Sequence, residues 1–442
     1  IEKISGATLE IRTRPADTYP VTVYVGESAY TDRIGITDQA LDHGAFRMAS
    51  GEDWLALLGD DHDFTPIGPW ARNHGQWANE VRPKWDAISP GSYWSNPVAR
   101  RIYRAYDGNA HQFKPDAPRA ASDEDTGMWA FDRHGSLNAV YEFLRSLGVR
   151  WYMPGELGEI VPSTQTIPLP DLSRTVRPHL PLRFVNFARH GRDPKEHVMW
   201  SMRLGANKPY GWLLSHGMRD MTRREGMGKA HPEYFALFGG TRNTNAREAN
   251  KNKQCFSSEG LLRETVEYVR TLYDVHDVEM VSVMPSDGYS AICQCPLCKG
   301  KDTLERGRLG WLSDYVWAFV NRVAEEVYKT HPDRYISCFA YVTYKKPPLN
   351  IDKLSPNVVV GIVSGRPRTG AESHLRGEQQ ELREAWLEKT SNKLIIWTNQ
   401  LHSGWPPPYV PHITARGLRD TKHQSLGEFI WLPERRGLYR PG

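Results

Sequence analysis

The residues with the most chemical capacity lie together at positions 278–298, VEMVSVMPSDGYSAICQCPLC. The apolar run 278–284 reads as a buried strand that breaks at Pro285-Ser286-Asp287-Gly288. A carboxylate just past the C-terminal end of such a strand is where α/β enzymes place an acid, a base or a nucleophile. The plainer reading is a turn, since Pro-Ser-Asp-Gly is good turn chemistry. Cys293, Cys295 and Cys298 follow, and with Cys255 they supply four sulfurs. Four thiolates are the set that a structural, tetrahedral Zn²⁺ takes. A disulfide within the cluster and buried free thiols stay open beside that reading, and the chain's five cysteines are an odd number for a disulfide framework.

Hydrolysis of a glycosidic bond uses two carboxyl groups, one to protonate the leaving oxygen and one to attack or to activate water. Besides Asp287, the carboxylates expected near strand ends are Glu434 and Glu428; the plainer roles are a surface ion pair and a strand residue facing a helix. His216, in Leu213-Leu214-Ser215-His216-Gly217, could exchange protons near neutrality or bind a hydroxyl. Arg189 and His190 follow one expected strand, Arg366 another, and Asn399, Gln400 and Trp405 a third. Trp212, Tyr341, Tyr344 and Trp431 add aromatic faces of the kind that stack on sugar rings. Several guanidinium groups around one mouth suit a carboxylate or sulfate on the sugar.

The elements that must position these groups show in the periodicity. After position 181, short apolar runs alternate with amphipathic stretches. Strands are expected at 182–187, 212–214, 278–284, 335–342, 358–363, 394–397 and 428–431, and helices at 260–273, 311–329, 378–390 and 413–421. This alternation predicts an α/β fold with a parallel sheet, a TIM-like (β/α)₈ barrel over 182–442. Only seven strands are counted where a closed barrel has eight. Either the barrel is incomplete at the C-terminus or a strand hides between 191 and 254. Residues 1–170 read as a smaller α+β domain: strands at 7–12, 21–25 and 149–152, loops over 51–118, and a helix at 136–147 closed by Gly148. Residues 171–181 read as a linker.

The segment 136–162, SLNAVYEFLRSLGVRWYMPGELGEIVP, resembles the N-terminal domain of bacterial α-glucuronidases, itself similar to the domain that precedes the barrel of hexosaminidases. Downstream, His231-Pro232-Glu233-Tyr234-Phe235-Ala236, Gln254-Cys255-Phe256-Ser257 and the Asp287/Cys-x-Cys-x-x-Cys segment resemble a bacterial family known as domain of unknown function 4838. The resemblance implies a TIM-like barrel, a role in polysaccharide degradation and a periplasmic or extracellular location, although no signal segment is visible. Barrel hexosaminidases carry an Asp-Glu pair at a comparable strand end. Here Gly288 follows Asp287, so that family's acid does not carry over.

Composition narrows the classes. The chain has 442 residues, 39% hydrophobic and 24% charged, with a net charge of +4. That charge, without a Lys/Arg-rich run, gives no nucleic-acid footprint. No run of about 18 apolar residues suggests a membrane span. Phosphate-binding glycine loops and an H-E-x-x-H helix are absent. The expectation is a glycoside hydrolase, exo-acting on a uronate-containing or sulfated glycan, with no required cofactor and a possible structural zinc. The alternatives are a polysaccharide lyase using His216, Tyr341 and Arg366, and a glycan-binding barrel without catalysis. Nothing in the sequence sets the oligomeric state.

Overall fold

The computed structural model describes residues 1–16, 18–62, 79, 133–187, 194–207, 209, 211–222, 226–245, 248, 251–365, 370–399 and 410–432. The chain divides into two compact units, one holding 1–66, 106–209 and 434–442, the other 67–105 and 210–433.

The first unit contains a four-stranded sheet of β1 (Thr22–Val25), β2 (Phe46–Ser50), β3 (Trp54–Gly59) and β4 (Ser173–Val176), in the order β1-β3-β2-β4. β1 runs parallel to β3, and β2 is antiparallel to both β3 and β4. Helix α1 (Gly135–Ser146) puts Ala139 and Phe143 onto Phe46, Met48, Leu55 and Leu57 of the sheet. The 136–147 helix is therefore where periodicity put it. Three local expectations are corrected. Residues 7–12 form no strand, and Ile11 is almost wholly exposed, because alternation alone supplied no partner strand. β3 lies in a stretch read as loop, since its Leu-Ala-Leu-Leu run is continuous rather than alternating. β4 lies within the expected linker and pairs with β2.

The first unit also holds the strand β5 (Leu182–Phe187). Six strands of the second unit carry the α/β alternation. They are β6 (Trp212–Leu213), β7 (Met280–Ser282), β8 (Tyr335–Ala340), β9 (Val358–Ser364), β10 (Leu394–Asn399) and β11 (Ser425–Leu432), adjacent in sequence order and all parallel. This is a partial TIM-like fold. Between 191 and 254 the described residues add only β6 and a short antiparallel hairpin, Leu237–Phe238 with Thr241–Arg242, outside that sheet.

The helices between these strands include α2 (Glu259–His276), α3 (Ser313–Tyr328), α4 (Ser373–Lys389) and α5 (Pro411–Thr421). Ser258 caps α2 by accepting the Leu261 N–H. α2 buries Leu261, Val266, Val269 and Leu272, and α3 buries Val316, Phe319, Val320, Val323 and Val327, both at helical spacing. Each such side chain contributes about 1.5–3 kcal/mol of burial. On one face of the sheet Phe339 meets Trp397 edge-on and Trp397 packs tilted against Phe429, across β8, β10 and β11, with ring centroids 5.3 and 4.4 Å apart. No described helix is long and apolar enough to cross a membrane.

Candidate functional site

β7 is short and wholly buried, and the chain stays buried through Val283, Met284 and Ser286. The Val283 N–H continues the pairing by donating to Ser337 O at 2.9 Å. Asp287 then emerges with its side chain 47% exposed. His216 arrives from the end of the neighbouring β6. Its Nδ1 lies 2.7 Å from the carbonyl oxygen of Pro285, which can only accept, so Nδ1 carries the proton and donates. Nε2 is thereby turned to Asp287 Oδ1, 3.7 Å away. The next residue must be glycine: a Cβ on Gly217 would stand 1.5 Å from the carbonyl oxygen of Ser282. This close approach brings the His216 backbone onto β7.

Tyr341, at the end of β8, meets the His216 ring edge-on with centroids 6.3 Å apart. Burial, with Asp287's charge adding to it, raises the Tyr341 hydroxyl above its ordinary value. The following residue, Val342, has φ +43°, a left-handed conformation that a β-branched side chain resists. Lys253 donates to the backbone carbonyl of Asp287. Burial lowers its pKa, and the Asp287 charge partly opposes that. The loop is held from below by Gln254, whose Nε2 donates to Ser286 Oγ at 2.7 Å and whose Oε1 accepts the Ser286 N–H at 3.2 Å. Tyr289 OH donates to Gln254 O at 2.8 Å.

Asp287, His216 and Tyr341 are thus brought together at three successive strand ends. The other expected site residues are placed differently. Trp212 is tied through Nε1 to Glu279 at 3.0 Å, at the end of the sheet opposite Asp287. Tyr344 is fully buried, and its hydroxyl has no hydrogen-bond partner among the described residues. Glu428 is buried at mid-strand, in lateral register with Ile396. Asn399 accepts the Trp397 indole N–H at 2.8 Å and pairs in register with Trp431. Arg189, His190, Arg366, Gln400, Trp405 and Glu434 lie outside the described residues. Sequence reasoning assigned no role to Lys253, Gln254 or Ser286. Their signal was adjacency to Cys255 and Asp287, which periodicity cannot convert into contact.

Cys255, Cys293, Cys295 and Cys298 are all buried, with their sulfurs within 4.8 Å of one another. Cys255 Sγ lies 3.7 Å from Cys295 Sγ and 3.5 Å from Cys298 Sγ, and the last two are 3.5 Å apart. All are free cysteines. Four sulfurs at about 2.3 Å from one ion form a tetrahedron with edges of about 3.8 Å, so these spacings fit a single metal ion, and the cluster could hold one. The surroundings suit thiolates. The Leu237 N–H donates to Cys293 Sγ at 3.3 Å. Tyr315 OH accepts from the Phe256 N–H at 2.9 Å, which turns its own proton toward Cys298 Sγ, 3.2 Å away. Hydrogen bonds from Cys255 and Cys298 push the Cys293 thiol far below its ordinary value, while the same contacts with Cys293 and Cys298 push Cys255 far above.

The architecture is therefore that of a partial TIM-like α/β protein with a titratable group at its strand ends and a tetrathiol centre beside it. The chain belongs to the family Domain of unknown function (DUF4838), which it matches over residues 153–411, more than half its length. The match leaves most of the α-glucuronidase-like segment outside it. No curated protein and no solved structure matches the chain.

Proposed function

We propose that the protein is a glycoside hydrolase acting on an acidic glycan, uronate-containing or sulfated, with Asp287 and His216 as its acid–base couple. The observation that carries this reading is the approach of His216 Nε2 to Asp287 Oδ1 at 3.7 Å, at consecutive strand ends. Asp287 hands its proton to the glycosidic oxygen or activates water, and His216, fixed through Nδ1, exchanges that proton. Tyr341, kept protonated by burial, donates a hydrogen bond to the sugar. Glu428 is enclosed in its strand and is not the second carboxyl group of this reading. Lys253 adds a cation beside Asp287 for an acidic sugar. The exo mode, the extracytoplasmic location, a completed barrel and an accessory role for the first unit follow the resemblance to α-glucuronidases. A zinc ion held by the four thiolates would have a structural role in this reading, because four sulfur ligands would leave no position for water.

The test is turnover of a panel of uronate-containing, sulfated and neutral oligosaccharides, following reducing ends and ultraviolet absorbance together. New reducing ends without new absorbance, lost in Asp287→Asn, are expected. An absorbing, unsaturated product identifies a lyase with His216 and Tyr341 as its proton carriers. Binding without turnover identifies a glycan-binding barrel. Activity confined to neutral sugars removes the acidic substrate class.

A further inference from the structure

We infer that the four cysteines form a mononuclear zinc site whose task is to set the position of the Asp287 loop, linking metal occupancy to the order of the catalytic strand end. This deepens the reading of Asp287 as the site's carboxylate and rests on it. Two of the site's attachments come from opposite sides. Cys255 lies in the segment 252–255, and Cys293, Cys295 and Cys298 lie in the loop that leaves β7 through Asp287. One ion bound to all four therefore cross-links the two segments.

The 252–255 segment is itself anchored. The Cys255 N–H donates to Tyr234 O at 2.9 Å, and the Ala236 N–H to Lys253 O at 2.7 Å. Every residue of the segment before Cys255 then reaches into the Asp287 loop. The Asn252 carbonyl accepts from Ser286 Oγ at 3.3 Å, Lys253 Nζ donates to Asp287 O, and Gln254 holds both the N–H and the hydroxyl of Ser286. Asn252, Gln254 and Ser286 are fully buried, so these bonds have no water to replace them. The cysteine turn is also closed locally. The Cys298 N–H donates to Cys295 O at 3.0 Å, and the Gln294 N–H to Leu237 O of the hairpin at 2.9 Å.

Charge and size select the ion. Four thiolates around a divalent ion leave two negative charges in a buried place. Leu237 N–H and the Tyr315 hydroxyl point donors at the sulfurs, and the guanidinium of Arg242, on the same hairpin, is the counter-charge. Sulfurs within 4.8 Å of one another enclose one ion and leave no room for a multi-iron cluster. Soft, tetrahedral thiolate coordination of a single ion without a redox role is the preference of zinc.

The experiment uses the full chain. Metal content is measured on the purified protein, cobalt is exchanged in, and hydrogen exchange of the 283–289 backbone is followed before and after chelation. Expected are one zinc per chain, the thiolate-to-cobalt absorption of a tetrahedral site, and exchange at Ser286–Gly288 about tenfold faster without metal. Gln254→Ala, which leaves all four ligands in place, should keep the zinc and still speed exchange at Ser286. Cys298→Ser should lose the metal. Iron at one equivalent, or no metal with all five cysteines titrating as free thiols after unfolding, overturns the zinc site. Zinc that can be removed with no change in exchange at 283–289 overturns the positioning role. Absence of glycan turnover with the metal and exchange results intact counts against the hydrolase reading alone.

Discussion

Among the described residues, two carboxylates that follow buried strands are held in opposite ways. In the first unit, Asp60 follows β3 and is 7% exposed. Its Oδ2 accepts the Gly44 N–H at 3.2 Å, and its Oδ1 faces Arg133 Nε at 3.3 Å. The next residue, Asp61, accepts the Ser136 N–H at the start of α1 at 2.8 Å. In the second unit, Asp287 follows β7 with nearly half its side chain exposed, and the bonds that fix it go to its backbone and to Ser286. Asp60 is itself part of the scaffold. Asp287 is held by scaffold that leaves its carboxylate oxygens for other work. A carboxylate at a strand end is thus ambiguous until one knows which of its atoms are occupied.

The contrast breaks most sharply if it is wrong about Asp287. Asp287→Asn and His216→Gln are each expected to lower kcat/KM about 10³-fold, or about 4 kcal/mol of transition-state stabilisation, with thermal midpoints unchanged. A midpoint drop of several degrees with activity preserved would put Asp287 in the same class as Asp60. Gly59→Ala probes the scaffold side. Its Cβ would stand 2.4 Å from Gly135 C and 2.5 Å from Ala45 O, all backbone, so nothing can swing away. Urea unfolding should show a loss of about 3 kcal/mol with normal turnover per folded molecule. Asp60→Ala leaves the Gly44 N–H unpaired and Arg133 without its partner, and should cost about 2 kcal/mol by the same measurement.

The smallest effect is in acid. Glu159 sits below its ordinary 4.5 because Lys3 donates to it at 2.7 Å, with burial opposing. A depressed folded pKa means that its contribution is complete above about pH 4.5 and is lost as pH falls through the lower folded value. Lys3→Ala should slightly flatten the fall in thermal midpoint below pH 4.5, a small effect for a pair this close to solvent.

The sheet strands after position 278 were legible because each is a continuous apolar run, and α2 and α3 because their buried residues recur every three or four positions. Boundaries moved where tertiary contacts decided them. The expected strand 335–342 stops at Ala340, because Val342 turns left-handed and sends the chain into the short helix Val342–Tyr344. Pairing His216 with Asp287 required knowing that β6 and β7 are neighbours, and 60-odd intervening residues hide that from any local pattern. The cysteine spacing announced four sulfurs but not their convergence, since Cys255 comes from another segment. Lys253 and Gln254 were illegible for the converse reason: lone polar residues carry no period.

Val342 shows where this protein has room to be improved and what the improvement would take away. A β-branched residue held at φ +43° costs about 1–2 kcal/mol. Val342→Gly would release that strain, so selection for thermal robustness alone should find the change readily. The residue released with it is the neighbour of Tyr341, whose ring stands against His216. An engineer who raises the melting point here also loosens the backbone beside that tyrosine, and under the proposed function that freedom should lower turnover.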